Sequence, residues 1–430
     1  VKTQPDSATP DKTSWKVEFA EHIRSQFESL QRLTALAPDL TCYEPGQPLA
    51  RLRFIAHAHG LHVARWLALL SHTSAKVEID TANDVAAFAN EIVSARPVLP
   101  RWLKLPMTVR YFLGGLVLRW KRKRSDQCLV HAHCASGNGL MAWLSGYRYV
   151  LGTYGSEIYD AHRRGSIYRW MLTQVLRRAD RIQVGSTESV KLLQEKFGIP
   201  AERIYCLHLG LNEQYFHAVN DERRAELRSE VNLPTGEPIW IVNRRTDPHY
   251  RTLEVVQGFL NYCQLGGRGR LVLLCGDHQP DYTESVCQTI RAHADGQRVT
   301  VVDRMLTPKG MGTWLQLGDF SISVPKTDNF SVSTYESLGC GAVPIVANLE
   351  AYNQLRDCAA VHWMTDFEPS DFTKVFARTA ATWPKPHHIH RKECLQFAKE
   401  GFSSENALRD LTAFYLGTPL RPERLARWAA

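Results

Sequence analysis

Two acids, Asp328 and Glu336, stand eight positions apart in the segment Val324 to Asn348, VPKTDNFSVSTYESLGCGAVPIVAN. The apolar run ending at Val324 predicts a strand, and the polar stretch after it predicts a loop that carries Asp328. A helix is expected to start near Ser331, with Ser331, Val332 and Ser333 in its first turn. It should stop at Gly339-Cys340-Gly341 before another strand. The first turn of a helix has backbone N–H groups without an intrahelical acceptor, and the helix dipole adds to their pull on an anion. An acid before such a turn and a second one eight residues on can line one cleft, one touching a sugar hydroxyl and the other a ribose. An N-capped helix with a surface acid satisfies the same pattern.

A second segment, PRWLKLPMTVRYFLGGLVLRWKRKR over residues 100–124, joins apolar and aromatic residues to a basic run. In it Arg119, Lys121, Arg122, Lys123 and Arg124 flank Trp120. Such a segment suits an anionic lipid surface. The solvated end of a helix entering the next strand would read the same way. Nucleic acid is not indicated, because no RNA-recognition, helix-turn-helix or finger pattern accompanies the run. The ten cysteines form no CxxC pair and several lie in apolar runs such as LVLLCG, so they read as reduced, buried thiols. His57, His59 and the His131-Ala132-His133 run lack a matching Cys or acid cluster, and no metal site is expected.

The elements that must position these residues alternate between strand and helix. LRFIAHA (52–58), KVEID (76–80), CLVHAH (128–133), YVLGTYG ending at Gly155, and Arg181 to Gly185 read as strands. Helices are expected near 63–71 and before Arg181. Residues 218–236 are polar and read as an inter-domain connection. The alternation then restarts with PIWIVN (238–243), a helix over 252–262, RLVLLCG (270–276), RVTVVD (298–303), FSISV (320–324) and VPIVA (343–347). This pattern predicts two doubly wound, Rossmann-like α/β halves with a cleft between them and ligands at the carboxyl ends of the strands. The expected boundaries are a tail and amphipathic helix over 1–50, a first domain over 51–220 joined by a C-terminal helix at about 410–430, and a second domain over 235–410.

At 430 residues the chain has room for two or three domains of roughly 150 residues. A composition 44% hydrophobic and 22% charged excludes disorder, collagen, coiled coil and a small disulfide scaffold. No stretch approaches the ~20 apolar residues of a membrane span. The first fifteen residues are polar and have no secretion-signal core, so a cytoplasmic location is expected, in solution or on the inner face of the membrane. The 52 Lys and Arg against 44 Asp and Glu give a formal charge of +8, which suits anionic partners in general.

Asp328-NFSVSTY-Glu336-SLGCGAVPIV resembles the donor-site motif of the retaining GT-B glycosyltransferases of the glycogen-synthase-like family 4 group. That motif is an acid, seven residues, Glu, then a glycine stop and an apolar strand. The first acid is Asp here where Glu is commoner. Further landmarks follow in order. RADRIQVGSTES (178–189) resembles the family's "ADxIIxxSE". RIYCLHLGLNEQYF (203–216) resembles "kixvipNGvDxxxF", keeping Gly210, Leu211 and Phe216 but carrying Leu209 and Asn212 for Asn and Asp. VNRRTDPHYRTLEVVQGF (242–259) resembles "vgRlxxxKGxxxlleAf", and LCGD (274–277), with Gly276, resembles "ivGxG". CLVHAHCASGNG (128–139) resembles "DvvHaHxxxxG", and GTYGSEIYD (152–160) resembles "xxHGxD" with Tyr154 in place of His. The resemblance spans about residues 52–348.

The resemblance implies a GT-B fold and transfer of a sugar, with retention, from a nucleotide-diphospho-sugar, UDP- or GDP-linked, to a glycan or lipid-linked acceptor. It implies no cofactor and no metal. Arg244 or Arg245 takes the phosphate-binding arginine position. Tyr250 stands where the family has lysine, and Arg251 beside it is expected to replace that charge. Asp328 would contact the transferred sugar and Glu336 the ribose. Gly60, Gly276, Arg304, Asn329, Phe330, Ser331, Val332 and Ser333 complete the expected donor contacts. Tyr154, Gly155 and Glu157 are expected at the acceptor wall. His131 and His133 are expected to alternate, one facing the sheet and His133 facing the cleft near the sugar. Bacterial surface-polysaccharide assembly is the implied setting. Two rivals stand beside this reading. One is another enzyme on the same fold, a phosphorylase or an epimerase. The other is a non-catalytic binder of a glycan or partner transferase, suggested by the departures at Tyr154, Asn212 and Tyr250.

Overall fold

The computed structural model describes residues 42–44, 47–48, 51–58, 60–70, 76–83, 94–100, 102–122, 128–276, 279–304 and 306–420. The helix expected within 14–37, His59, Lys123, Arg124, Asp277 and residues 421–430 of the expected C-terminal helix lie outside these. The chain divides at Gly210 and Ser403: Leu211–Ser403 form one unit, and the described residues up to Gly210 form another with Ser404 onward.

The first unit is built on a seven-stranded, wholly parallel sheet. Its spatial order is Ser94–Pro97, Val77–Thr81, Arg51–Ile55, Cys128–His133, Tyr149–Gly152, Arg181–Val184, Ile204–Cys206. The central strands are buried on both faces, as helices covering both faces require. Sequence reading missed the two edge strands. Ser94–Pro97 is short, largely exposed and ends in proline, which only an edge position tolerates. The helix Ser404–Leu416 places Leu408, Leu411, Phe414 and Tyr415 in the core with Trp66 and Tyr205. Their three- and four-residue spacing is that of one helix face. No helix among the described residues is long and apolar enough to cross a membrane.

The second unit carries a six-stranded parallel sheet. The order is Val299–Val302, Arg270–Leu274, Ile239–Val242, Phe320–Ser323, Val343–Ala347, His362–Met364. Trp240 lies at its centre, wholly buried among Phe259, Tyr262, Phe320 and Phe376, with its indole N–H donating to Thr379 Oγ1 at 3.0 Å. That bond meets the one polar demand a buried tryptophan makes.

The polar stretch over 218–236 corrects the expected linker. It contains the helix Asp221–Glu230, capped by Asn220, which belongs to the second unit. Arg224 and Arg228 on this helix reach Asp319, at the start of the strand Phe320–Ser323, with contacts of 2.7 and 2.8 Å. The backbone N–H of Ile239 donates to the same carboxylate at 2.7 Å. Arginines on a helix of otherwise polar composition read as a solvated face until their buried partner is seen.

Asp319 is fully buried, which alone would raise its pKa, but Arg224 and Arg228 overcome burial and hold it at about 2. The folded value therefore lies below the unfolded value of roughly 3.9, so its stabilisation is complete above that pH and is lost as pH falls towards 2. Asp319→Ala should lower the unfolding free energy by about 3–5 kcal/mol in denaturant melts, because two buried guanidinium groups lose their partner. Between pH 4 and 2, the wild type should lose about 2 kcal/mol that Asp319→Asn does not.

Candidate functional site

In the second unit, successive connections run one way from the strand Ile239–Val242 and the other way from Phe320–Ser323. These adjacent strands form the switch point, where doubly wound sheets hold ligands at the carboxyl edge. The loops leaving them carry the strongest expected site residues. Arg244 lies just past the first strand and Asp328 past the second, with Nη1 and Oδ2 3.1 Å apart. Both side chains are mostly shielded, at 12% and 15% exposure. Burial alone would depress the Arg244 pKa, but Asp328, with Tyr352 and Tyr250, raises it, so the guanidinium stays charged.

The two loops are tied to each other. Lys326 N–H donates to the His249 carbonyl at 2.9 Å, and the His249 ring meets the Thr327 carbonyl at 2.7 Å. Asp328 has three partners. Its Oδ2 accepts from the Tyr352 hydroxyl at 2.7 Å as well as from Arg244, and its Oδ1 accepts from the Asn329 N–H at 2.9 Å. Phe330 then adopts φ of +46°, a left-handed conformation that costs a non-glycine residue roughly 1–2 kcal/mol. Its ring is buried against Phe402, Tyr335 and Tyr352, and that packing holds the reversal. The ring of Phe330 is thus a core anchor rather than a donor contact.

The reversal delivers Ser331 as N-cap of the helix Val332–Cys340. Ser331 Oγ accepts from Arg244 Nη1 and lies 2.6 Å from Ser333 Oγ. Asn243 braces the same helix from beneath, its Nδ2 donating to the Ser333 carbonyl at 2.9 Å and to Ser337 Oγ at 2.7 Å. Glu336 is buried one turn below Ser333; its carboxylate and burial push the Cys340 thiol up, burial being the larger cause. The glycine stop has two separate reasons. A side chain at Gly339 would strike Leu211 at 2.4 Å, and Gly341 has φ of +77° at the helix C-cap.

Three other expected contacts take different places. Tyr250, at the family's lysine position, lies under Arg244 with 4.4 Å between guanidinium and ring centroid. It orients the arginine instead of supplying a charge. Arg251 donates to the Val324 carbonyl at 2.7 Å and stacks on Phe367 at 3.8 Å. The expected replacement of the lysine by Arg251 is therefore corrected: this guanidinium splices the two loops. Arg245 is half exposed, pairs with Asp247 at 3.1 Å, and stands beside Gly276 at the end of the neighbouring strand. Arg304 is exposed at the end of the next strand out. Arg244, Arg245, Arg304 and the helix start thus lie at one carboxyl edge with Asp328 and Asp247. Tyr352, Asn243 and Ser337 were missed by sequence reading, since no spacing rule joins them to the motif.

The first unit has its own switch point, between Arg51–Ile55 and Cys128–His133. Gly60 follows the first of these strands in a tight turn, its N–H donating to the His57 carbonyl at 2.9 Å. At the second, the expectation that His131 and His133 diverge is corrected. Residues i and i+2 of a strand share a face, and the two rings stack with centroids 4.0 Å apart. His133 is only 2% exposed. Its Nδ1 is hydrogen-bonded to the Tyr154 hydroxyl at 2.8 Å, and that of His131 to the Tyr415 hydroxyl at 2.5 Å. Both Nε2 atoms are buried without a hydrogen-bond partner. Glu157 is buried and accepts from the Tyr154 N–H at 2.9 Å, closing the turn through Gly155. It ties a loop together and is not presented to an acceptor. Among the described residues no group of three or more His, Cys, Asp or Glu gathers to hold a metal ion.

Residues 58–215 match the model of a family described as Glycosyltransferase Family 4. A search of curated proteins gave no match. Solved structures similar to the chain include Anabaena Alr3699/HepE in complex with UDP, at 12% identity over 84% of this chain and 98% of that one, with a TM-score of 0.68. Sucrose-phosphate synthase from Thermosynechococcus elongatus aligns at 15% identity over 85% and 95%, with a TM-score of 0.63. An α,α-trehalose 6-phosphate synthase from Burkholderia multivorans aligns at 11% identity over 89% and 100%, with a TM-score of 0.59. The fold is GT-B. Within that fold, the seven-stranded sheet is the N-terminal unit and the six-stranded sheet is the C-terminal unit, which carries the Asp328–Glu336 motif.

The histidine pair gives a pH prediction. Burial holds His131 near 3 and, with His131 and His62 adding to it, holds His133 well below the usual imidazole value. The unfolded chain then binds more protons below pH 6.5, so stability falls as pH falls through that value. Two such groups should cost about 2 kcal/mol between pH 7 and 5.5. Chemical melts of wild type against His131→Phe check this, and the variant should lose part of the dependence.

Proposed function

We propose that this chain is a retaining, metal-independent glycosyltransferase. It moves a hexosyl group from a nucleotide-diphospho-sugar to a glycan or lipid-linked acceptor, at the cytoplasmic face of a bacterial membrane, in surface-polysaccharide assembly. The observation that carries the reading is the Arg244–Asp328 pair at the switch point, beneath the start of the helix Val332–Cys340. A leaving nucleoside diphosphate gains negative charge as the glycosidic bond breaks, and fixed positive groups lower that barrier most when they need no reorganisation. Arg244 is held by Tyr250, Ser331 and Asp328, so its position does not depend on ligand. Arg245 has the freedom to turn from Asp247 towards the phosphates. The free N–H groups of the helix start add to them.

The sugar ring acquires positive character in the same step. Asp328 would accept from its hydroxyls and stabilise that charge, while Glu336 would fix the ribose. Retention would follow if the departing phosphate takes the acceptor proton on the face from which it leaves. UDP is the first nucleotide to test, because the similar structures of Anabaena Alr3699/HepE hold UDP and UDP-glucose. A non-catalytic binder remains the second reading, favoured by one observation: all three Asp328 contacts lie within the protein.

A thermal-shift panel of UDP, GDP, CMP, ADP and their sugars tests the donor site. One nucleotide should stabilise the wild type equally with and without EDTA, and Glu336→Ala should abolish its shift. No shift with any nucleotide would reject the transferase reading. If turnover is found, NMR of the first-formed product should show the donor's anomeric configuration. Asp328→Asn should lower kcat by roughly 10²-fold or more, the scale of a lost electrostatic contact to a transition state.

A further inference from the structure

The solvent face of the helix Met107–Lys121 is apolar. Val109, Phe112, Leu116 and Trp120 follow one another at three- and four-residue steps and are exposed by 39, 48, 41 and 86%. The buried side holds Arg110, Gly114, Gly115 and Leu118, the reverse of the usual distribution. Close packing fixes this orientation: a Cβ on Gly115 would lie 2.7 Å from Leu144 of the helix Gly137–Ser145. That helix continues the surface, since its Trp143 meets Trp170 of the helix Ser166–Arg178 edge to face at 5.9 Å. Ile167, on the same third helix, is 83% exposed and Trp170 59%. Three adjacent helices of one unit thus present a shared aromatic and aliphatic surface, and a soluble monomer rarely leaves so much apolar area uncovered.

The charge around it is mostly positive, although Arg163 pairs with Asp160 and Arg148 with Asp180 at its border. Residues 100–122, 137–148 and 161–178 hold twelve Lys and Arg and no Asp or Glu. This local excess is larger than the chain's net charge of +8. Arg119, Lys121, Arg122, Arg163, Arg164 and Arg169 are all exposed. A second copy of the chain is a poor occupant, because a two-fold interface would set this predominantly basic surface against itself. An anionic bilayer meets both demands: headgroups pair with the guanidinium and ammonium groups, and the exposed tryptophan rings suit the interfacial layer.

We infer that the helices Met107–Lys121, Gly137–Ser145 and Ser166–Arg178 form a single docking face for anionic lipid. The face extends beyond the first helix: the second and third helices supply three of its seven named apolar anchors, and Arg163, Arg164 and Arg169 supply half of its named exposed basic groups. It does not depend on the donor reading, and nucleotide stabilisation measured on the same samples separates failure of one from failure of the other.

Flotation of the full chain with vesicles of phosphatidylglycerol and phosphatidylethanolamine, against phosphatidylcholine alone, is the test. The wild type should float with the anionic vesicles only, with a blue shift in tryptophan emission. Trp120→Glu/Ile167→Glu changes two of the most exposed side chains, keeps the fold by circular dichroism, and should reduce partition at least tenfold. Arg163→Gln/Arg164→Gln should reduce it by about fivefold per charge. Equal binding to phosphatidylcholine, a variant that floats like wild type, or a solution dimer broken by Trp120→Glu/Ile167→Glu would each overturn the inference.

Discussion

A guanidinium and a carboxylate lie 3.1 Å apart past the carboxyl ends of two adjacent parallel strands, and the loops leaving those strands are tied together around them. A largely shielded ion pair contributes little unless its remaining hydrogen-bonding positions are filled. Here they are filled from four directions. Tyr352 and the Asn329 N–H serve the acid, while Ser331 and the Tyr250 ring serve the base. Those partners come from separate loops, so the loops must meet, and the left-handed Phe330 is the local cost of making them do so. The result is an arginine whose position is set by the protein alone.

The N-terminal unit answers a similar topological demand with different chemistry. Its switch point offers two stacked, neutral imidazoles, each bonded to a tyrosine hydroxyl. One of those tyrosines, Tyr415, comes from the C-terminal helix Ser404–Leu416. The last described helix of the chain therefore completes the packing around a residue some 280 positions earlier, with |i−j| of 284 for the His131–Tyr415 bond. Burial of His133 at 2% makes it a donor or acceptor of hydrogen bonds at one atom, not a general acid–base group at neutral pH.

Much of this was legible from the chain alone. Apolar strands of four to six residues, separated by helices, fixed the alternation, and the Asp328–Glu336 motif marked the strand–loop–helix unit to within a residue. What escaped were features set by tertiary partners. The helix Asp221–Glu230 looked like a linker because its arginines are polar, and only Asp319 turns them into core residues. Arg251 looked like a phosphate ligand because it neighbours the lysine position, yet its φ of +54° turns it towards Val324 and Phe367. The histidines were misassigned by overlooking the two-residue period of a strand. Tyr352 and Asn243 carry no local signal at all.

The central claim is that the switch point of the C-terminal unit is a nucleoside-diphosphate site organised by Arg244. Calorimetric titration of UDP into wild type and Arg244→Met tests it most directly, since the substitution keeps an unbranched stem and removes the charged guanidinium. The account predicts binding by the wild type with a Kd raised roughly 10²-fold in the variant, the scale of a lost charge-assisted contact of about 3 kcal/mol. Equal affinity in the two proteins, with the fold intact in both, would contradict it.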